Sequence, residues 1–466
     1  PMQQNPRSES PVSSPDTEPQ SLYAAREPIF PRRVKGNFRT MKWWIMAVTL
    51  GIYYITPWLR WDRGPNLPDQ AVLIDMGGRR FFFFMIEIWP HEFYFVAGLL
   101  IMAGLGLFLF TSAAGRVWCG YACPQTVWTL MFVWLERRIE GSHNQSKALD
   151  SAPWHGAKLS KKLLKHSSWL LLSLLTSLAF IAYFVPARSL YADFFSLNSS
   201  GTVYGWVGFF ALCTYVNAGL IREKMCLHMC PYARFQSAMF EPATKIVAYD
   251  AQRGEQRGAR KRHSEKPAAM GDCVDCQLCV QVCPVGIDIR HGMQYECINC
   301  GLCIDACDQT MRQFNYPVGL IRYQGEVSTQ TAWQRHLGYG SAILLTVLAM
   351  AAWAYQWQST ELSISRDRQA MYRVNSDGLT ENTFTLTLSN KTQQPRHYQL
   401  SIAGLAGAEL KGAEQITLKP AEQRQHIISI AMPEQAAEVY TAFTLQLTDA
   451  EHGDSVSAAS RFYHVR

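Results

Sequence analysis

Residues 273–284 read CVDCQLCVQVCP, and residues 297–308 read CINCGLCIDACD. Both stretches follow one spacing, C-x2-C-x2-C-x3-C. A loop so spaced wraps three thiolates around one cubic iron–sulfur cluster and turns the fourth outward to a second cluster. The pattern therefore assigns Cys273, Cys276, Cys279 and Cys307 to one [4Fe–4S] cluster and Cys297, Cys300, Cys303 and Cys283 to another. A disulfide framework is excluded, because such frameworks belong to small secreted domains and rarely repeat one spacing. Structural zinc takes two C-x2-C pairs and leaves no use for the third and fourth cysteine of each copy. The first copy ends Cys283-Pro284 and the second Cys307-Asp308, a difference in the exit turn that removes no ligand.

The surroundings of these motifs belong to a membrane protein of two or three domains. Hydrophobic residues make up 48% of the 466 and charged residues 17%, and the 14 tryptophans and 20 tyrosines suit the aromatic belts of bilayer interfaces. No nucleic-acid-binding motif appears. All 13 cysteines lie between Cys119 and Cys307, which places the thiols on a reducing side. Residues 1–28 are rich in Pro, Ser, Gln and Glu without apolar period, and the segment 1–40 is expected to be a disordered cytoplasmic tail. A basic segment with Arg32, Arg33, Lys35, Arg39 and Lys42 leads into the first apolar run.

Five runs are expected to span the bilayer: 43–59, 93–114, 168–185, 203–221 and 341–357. The charge-free run 117–135 is a sixth candidate, and the distribution of basic residues decides against it. Residues 115–167 carry eight Lys/Arg, whereas loop 186–202 carries only Arg188. Cytoplasmic loops hold the excess of Lys and Arg, so 117–135 is expected to lie at the interface. Loop 60–92 fits this scheme poorly, with Arg60, Arg63, Arg79 and Arg80 on the outer side. The divisions expected are a four-span membrane domain over 41–221, a cytoplasmic segment over 222–336 with its dicluster ferredoxin domain at about 265–315, a fifth span over 337–357, and a periplasmic domain over 358–466. The basic run 257–266 reads as a solvated or lipid-facing linker, with an acidic redox partner as the less favoured reading. In the last segment, alternating runs at 384–388, 397–402, 415–418, 426–430 and 442–447 predict an antiparallel β-sandwich, a docking module without a catalytic cluster.

A second cysteine repeat lies nearer the spans. Trp118-Cys119-Gly120-Tyr121-Ala122-Cys123-Pro124-Gln125 and Met225-Cys226-Leu227-His228-Met229-Cys230-Pro231-Tyr232 both read C-x3-C-P. If these segments are helical throughout, each cysteine pair shares a face. If instead the prolines open a helix, Cys123 and Cys230 stand at helix N-termini, where the dipole favours thiolate. Thiolates and thioethers suit Cu(I), so Cys119, Cys123, Cys226 and Cys230 form a candidate copper or redox site, with Met225, His228 and Met229 as weaker candidates. Cys213 is read as packing within the fourth span. His143, His155, His166 and His263 receive no role, and His91 is an interfacial anchor ahead of a quinone ligand.

In combining both cysteine systems with the sandwich, the chain from about Tyr23 onward resembles the membrane polyferredoxins called CcoG, RdxA or FixG, accessory proteins of cbb3-type cytochrome c oxidase. The resemblance is carried by the segment beginning Ile29-Phe30-Pro31-Arg32-Arg33, both C-x3-C-P segments, both ferredoxin motifs and an immunoglobulin-like C-terminal domain. It implies reduction of Cu(II) to Cu(I) for assembly of the oxidase copper centre, in a bacterial inner membrane with N-terminus and clusters cytoplasmic. It further implies cytochrome oxidase subunits or copper-delivery proteins as partners, beside the lipid bilayer and an electron donor that the sequence does not name. Copper would be substrate or transient ligand. Two other readings stand behind this one, a quinol-linked polyferredoxin of a respiratory reductase and a non-enzymatic assembly scaffold.

Overall fold

The computed structural model describes residues 29–464 apart from 263–266, 268, 326–329, 357, 368–371, 377, 413 and 434–438. The tail over 1–28, His263, the end of the basic run at 263–266 and Trp357 lie outside the described residues, as does the side chain of His91. The chain divides into two units. One takes in the described parts of Pro1–Met46, Ala114–Trp169 and Val216–Val327, and the other those of Ala47–Ala113, Leu170–Tyr215 and Ser328–Arg466.

In the first unit the cysteine repeat is also a repeat of the backbone. Asp275 and Gln277 are left-handed at φ 48° and 55°, and the matching Asn299 and Gly301 lie at 51° and 70°. Asp, Asn and Gly enter this region more readily than other residues, and the tight turn they permit brings successive thiols to one side. A helix follows each turn, Leu278–Gln281 in the first copy and Leu302–Gln313 in the second. An antiparallel pair of strands, Ile246–Tyr249 and Ile321–Gln324, closes over them, with Val247, Ile289, Ile304 and Ile321 buried between.

The leading segment is tied to this domain. Arg32 N–H donates to Gln281 O at 2.7 Å, and Arg39 N–H donates to Asp305 Oδ2 at 2.8 Å. Helix Asn37–Ile55 starts against that carboxylate, which accepts from its unpaired first-turn amides. Residues 29–40, expected within a disordered tail, are thus held by the ferredoxin fold.

The charge-free run 117–135 is two helices, Val117–Tyr121 and Pro124–Glu140, parted at Cys123. Among the described residues, four helices are long and apolar enough to cross a membrane: Phe93–Ala114, Gly156–Ile181, Gly201–Ile221 and Trp333–Tyr355. The first expected span forms the 19-residue helix Asn37–Ile55, which is not one of these four.

In the second unit, the arginines of loop 60–92 have structural employment. Arg63 donates to the carbonyls of Pro68, Gln70, Ala71 and Phe84 at 2.6–2.8 Å, Arg60 pairs with Asp69 at 2.6 Å, and Arg80 pairs with Glu87 at 3.2 Å. They fold the loop onto a small sheet of strands Val72–Asp75, Arg80–Phe83 and Ile86–Ile88. Buried Gln70 clamps it further, donating to Ala182 O at 2.7 Å and accepting from Ala187 N at 2.9 Å.

The C-terminal domain is a sandwich of two antiparallel sheets. One runs Glu409–Lys411, Gln423–Met432, Thr380–Asn390, Thr360–Arg366, and the other Gln415–Leu418, Arg396–Ala403, Tyr440–Asp449, Ser455–Tyr463. Alternate side chains such as Phe384, Leu386, Leu388, Leu400, Leu445 and Phe462 meet in one core, as the period of two requires. The ion pair Lys391–Glu92, at 2.7 Å and with both side chains nearly inaccessible, joins the sandwich to the turn before helix Phe93–Ala114.

Candidate metal centres

The ferredoxin cysteines wall two cavities of about 360 Å³ each. Cys273, Cys276, Cys279 and Cys307 line one. Cys283, Cys297, Cys300 and Cys303 line the other, together with Cys279. Apolar side chains fill much of the remaining walls, Leu278, Met311, Leu320 and Ile321 around the first and Val247, Val285, Ile287 and Ile298 around the second, while Arg290, Gln277 and Thr310 also line the first. A thiol-lined hollow in each place where the spacing asks for a cube is the donor set that an iron–sulfur cluster takes. Around the first cavity, Arg290 braces the turn from both sides, pairing with Asp275 and with Asp288 at 2.6 Å. Hydrogen bonds from Arg290 hold the Asp288 carboxyl below its ordinary value of 3.8.

The C-x3-C-P elements take the second of the two geometries open to them. Cys123 (φ −58°, ψ 129°) and Cys230 (φ −76°, ψ 110°) are non-helical and precede helices Pro124–Glu140 and Pro231–Ala238, each opened by its proline. Cys226 lies in a π-helical turn, Met225–Met229. Gln125 ties the first element to the turn that leads into the second, donating to Asn217 O at 2.8 Å and Arg222 O at 3.0 Å. The thiols are electrostatic neighbours, for Cys119 feels Cys123, Cys226 and Cys230. Among the described residues, no three His, Cys, Asp or Glu side chains converge on a single metal ion. Met229 and His228 are exposed.

The depression of the thiol pKa expected for Cys123 at its helix start is overturned. Burial pushes Cys119 up to about 12 and Cys226 up to about 11. Burial also raises Cys123, although backbone N–H groups of Gln125 and Thr126 at the helix start act the other way. Desolvation outweighs the helix terminus because these thiols sit between packed elements.

Four residues that sequence reasoning passed over join the two cysteine systems. Tyr121 donates its hydroxyl to Cys300 O at 3.0 Å. Gly120 lies so close to the second ferredoxin turn that a Cβ would stand 2.5 Å from Ile298 O and 3.2 Å from Cys300 N. Cys119 packs against the buried cluster of Val285, Ile287, Ile298 and Cys300, and its thiol donates to Gln236 Oε1 at 3.3 Å. Arg116 is 3% exposed, bonds Tyr295 O through Nη1, and has Nε and Nη2 without partners. Its charge lowers the thiols Cys119, Cys226 and Cys297, though burial, the larger effect, still leaves them raised. The one sequence signal for these contacts was a glycine between two cysteines, which has many other uses.

Family models match three parts of the chain. The family model described as a 4Fe-4S dicluster domain matches residues 221–326, a 4Fe-4S binding domain matches 95–141, and the IG-like fold at the C-terminal of FixG matches 350–464. Protein RdxB of Cereibacter sphaeroides is 49% identical over 415 residues, covering 86% of this chain and 87% of its own. Protein RdxA of the same organism is 44% identical over 468 residues, with 95% and 98% covered. The nitrogen fixation protein FixG of Rhizobium meliloti is 40% identical over 489 residues, with 96% and 92% covered.

Proposed function

The chain belongs to the FixG/RdxA family of iron–sulfur redox proteins, and from that premise we propose that it reduces Cu(II) to Cu(I) for the copper centre of a cbb3-type cytochrome c oxidase. The observation that carries this reading is the seat of the first C-x3-C-P element on the backbone of Cys300. Thiols suited to Cu(I) stand beside a ferredoxin turn, with no intervening element.

On this reading Cys273, Cys276, Cys279 and Cys307 hold one [4Fe–4S] cluster, and Cys297, Cys300, Cys303 and Cys283 hold the other. When bound, the clusters supply a one-electron store. Cys119, Cys123, Cys226 and Cys230 receive the copper ion, which takes one electron, Cu(II) becoming Cu(I), while an external reductant is oxidised. Thiolate ligation prefers the reduced ion and so favours the products. Arg116 neutralises the thiolates that copper leaves behind. Copper binding displaces the protons of these buried thiols to solvent, the electron transfer itself moves no proton, and no residue is assigned as general acid or base.

Five spans with the N-terminus and both ferredoxin turns on the cytoplasmic side of a bacterial inner membrane accommodate this chemistry. The sandwich then stands in the periplasm, where it would dock oxidase subunits or copper-delivery proteins. The decisive experiment changes Cys119, Cys123, Cys226 and Cys230 to Ser in the full chain. Cu(II) reduction by the pre-reduced protein should vanish while iron–sulfur absorbance and EPR persist. Full activity in that variant overturns the copper reading.

A further inference from the structure

The ferredoxin unit contains a chamber that borders the C-x3-C-P thiols at Cys226 and carries a set of cations that this redox chemistry does not require. Counted together with the solvent at its open mouth its volume is about 820 Å³, and it is walled by the leading segment, helix Pro124–Glu140 and both ferredoxin turns. Six cations line it: Arg32, Arg33, Arg39, Lys42, Arg137 and Arg222. Among the described residues Glu223 is the only carboxylate that does so. Arg222 is already paired with Glu136 at 2.7 Å, whereas Lys42 is 4% exposed. Arg137 is lowered by burial and then by the like charges of Arg39 and Arg33. Cations crowded away from water repel one another, and an anion among them relieves both effects.

The rest of the chamber excludes a bare anion as the best occupant. Val34, Leu130, Val133, Val285, Ile298 and Leu302 give it apolar walls. Trp43 lines it too, under the Arg39 guanidinium at 5.9 Å. A wider cavity of about 1360 Å³ shares Arg33, Arg39 and Arg137 and adds Arg138, which stands 5.3 Å over Trp134. Arginine and tryptophan in this association are typical of the level of lipid headgroups. Thr129 Oγ1 lies buried at the chamber wall with no hydrogen-bond partner.

We propose that the chamber binds an anionic phospholipid, its phosphate diester held by Arg33, Arg39, Lys42 and Arg137 and its apolar part by the valine and leucine walls. Guanidinium groups suit phosphate oxygens, and phosphate is the chemistry shared by the lipid and by free anions. The apolar walls select the lipid.

The test uses the full chain in a neutral detergent, with native mass spectrometry and thermal midpoints read together. Dioleoylphosphatidylglycerol should stay bound and raise the midpoint, while dioleoylphosphatidylcholine and inorganic phosphate should do neither. An Arg33→Gln/Arg137→Gln variant should lose at least tenfold in retention of the anionic lipid, with iron content unchanged. Equal retention of the two lipids overturns the proposal, as does a midpoint rise reproduced by inorganic phosphate alone. Should the double variant lose its iron, the comparison of headgroups on the unaltered chain decides by itself.

Discussion

Gly120 is the residue on which the two cysteine systems depend. Alanine there would place a methyl 2.5 Å from Ile298 O, a backbone atom inside a cluster-binding turn that has little room to yield. Overpacking of this kind costs about 1–3 kcal/mol, and here the strain would part the C-x3-C-P element from the ferredoxin. Gly120→Ala should slow Cu(II) reduction while the iron content and the EPR signal of the more distant cluster stay unchanged. Stopped-flow reduction of Cu(II) by the pre-reduced variant checks this. The cysteines themselves were legible in the sequence because ligand spacing is a local property. Gly120, Tyr121, Gln236 and Arg116 were not, since their roles arise from contacts across more than a hundred residues.

At the scale of elements, the Arg290 brace gives the first ferredoxin turn a dependence on pH. Asp288 keeps a folded pKa below 3.8, so its stabilisation is present above 3.8 and is lost as pH falls through the lower folded value. A hydrogen bond to a charged partner contributes about 2 kcal/mol. Asp288→Asn should therefore lower the thermal midpoint at pH 6, and that difference should shrink progressively as pH falls below the free carboxyl value of 3.8. Elements also show where sequence reading reaches its limit. The five alternating runs of the sandwich became strands because a period of two is visible in four to six residues. Strands Thr360–Arg366, Glu409–Lys411 and Ser455–Tyr463 went unforeseen, being short or weakly apolar and paired only by their neighbours. The single helix expected over 117–135 is broken because Pro124 cannot supply an amide to the turn before it.

For the whole molecule the open quantity is sidedness. The arginines of loop 60–92 argued against an outer position by count alone, yet Arg60, Arg63 and Arg80 are bound into the loop's own fold. Charges so employed weigh less in orientation than free ones near a span. Reporter fusions after Lys165 and at the end of the last long helix, after Tyr355, should report cytoplasm and periplasm respectively. The reverse pattern would place the ferredoxin turns outside and contradict the reducing environment that thirteen unpaired thiols require.

The contact between Tyr121 and Cys300 O has a consequence for how such a chain matures. The C-x3-C-P element takes its seat on a ferredoxin turn whose winding is completed by ligation, since an isolated loop of this kind gains its fold from its metal. On the proposed reading, iron insertion would come before the C-x3-C-P thiols acquire their geometry. On the same reading, a cell short of iron would make this protein with those thiols unplaced, and copper reduction would be lost together with the clusters.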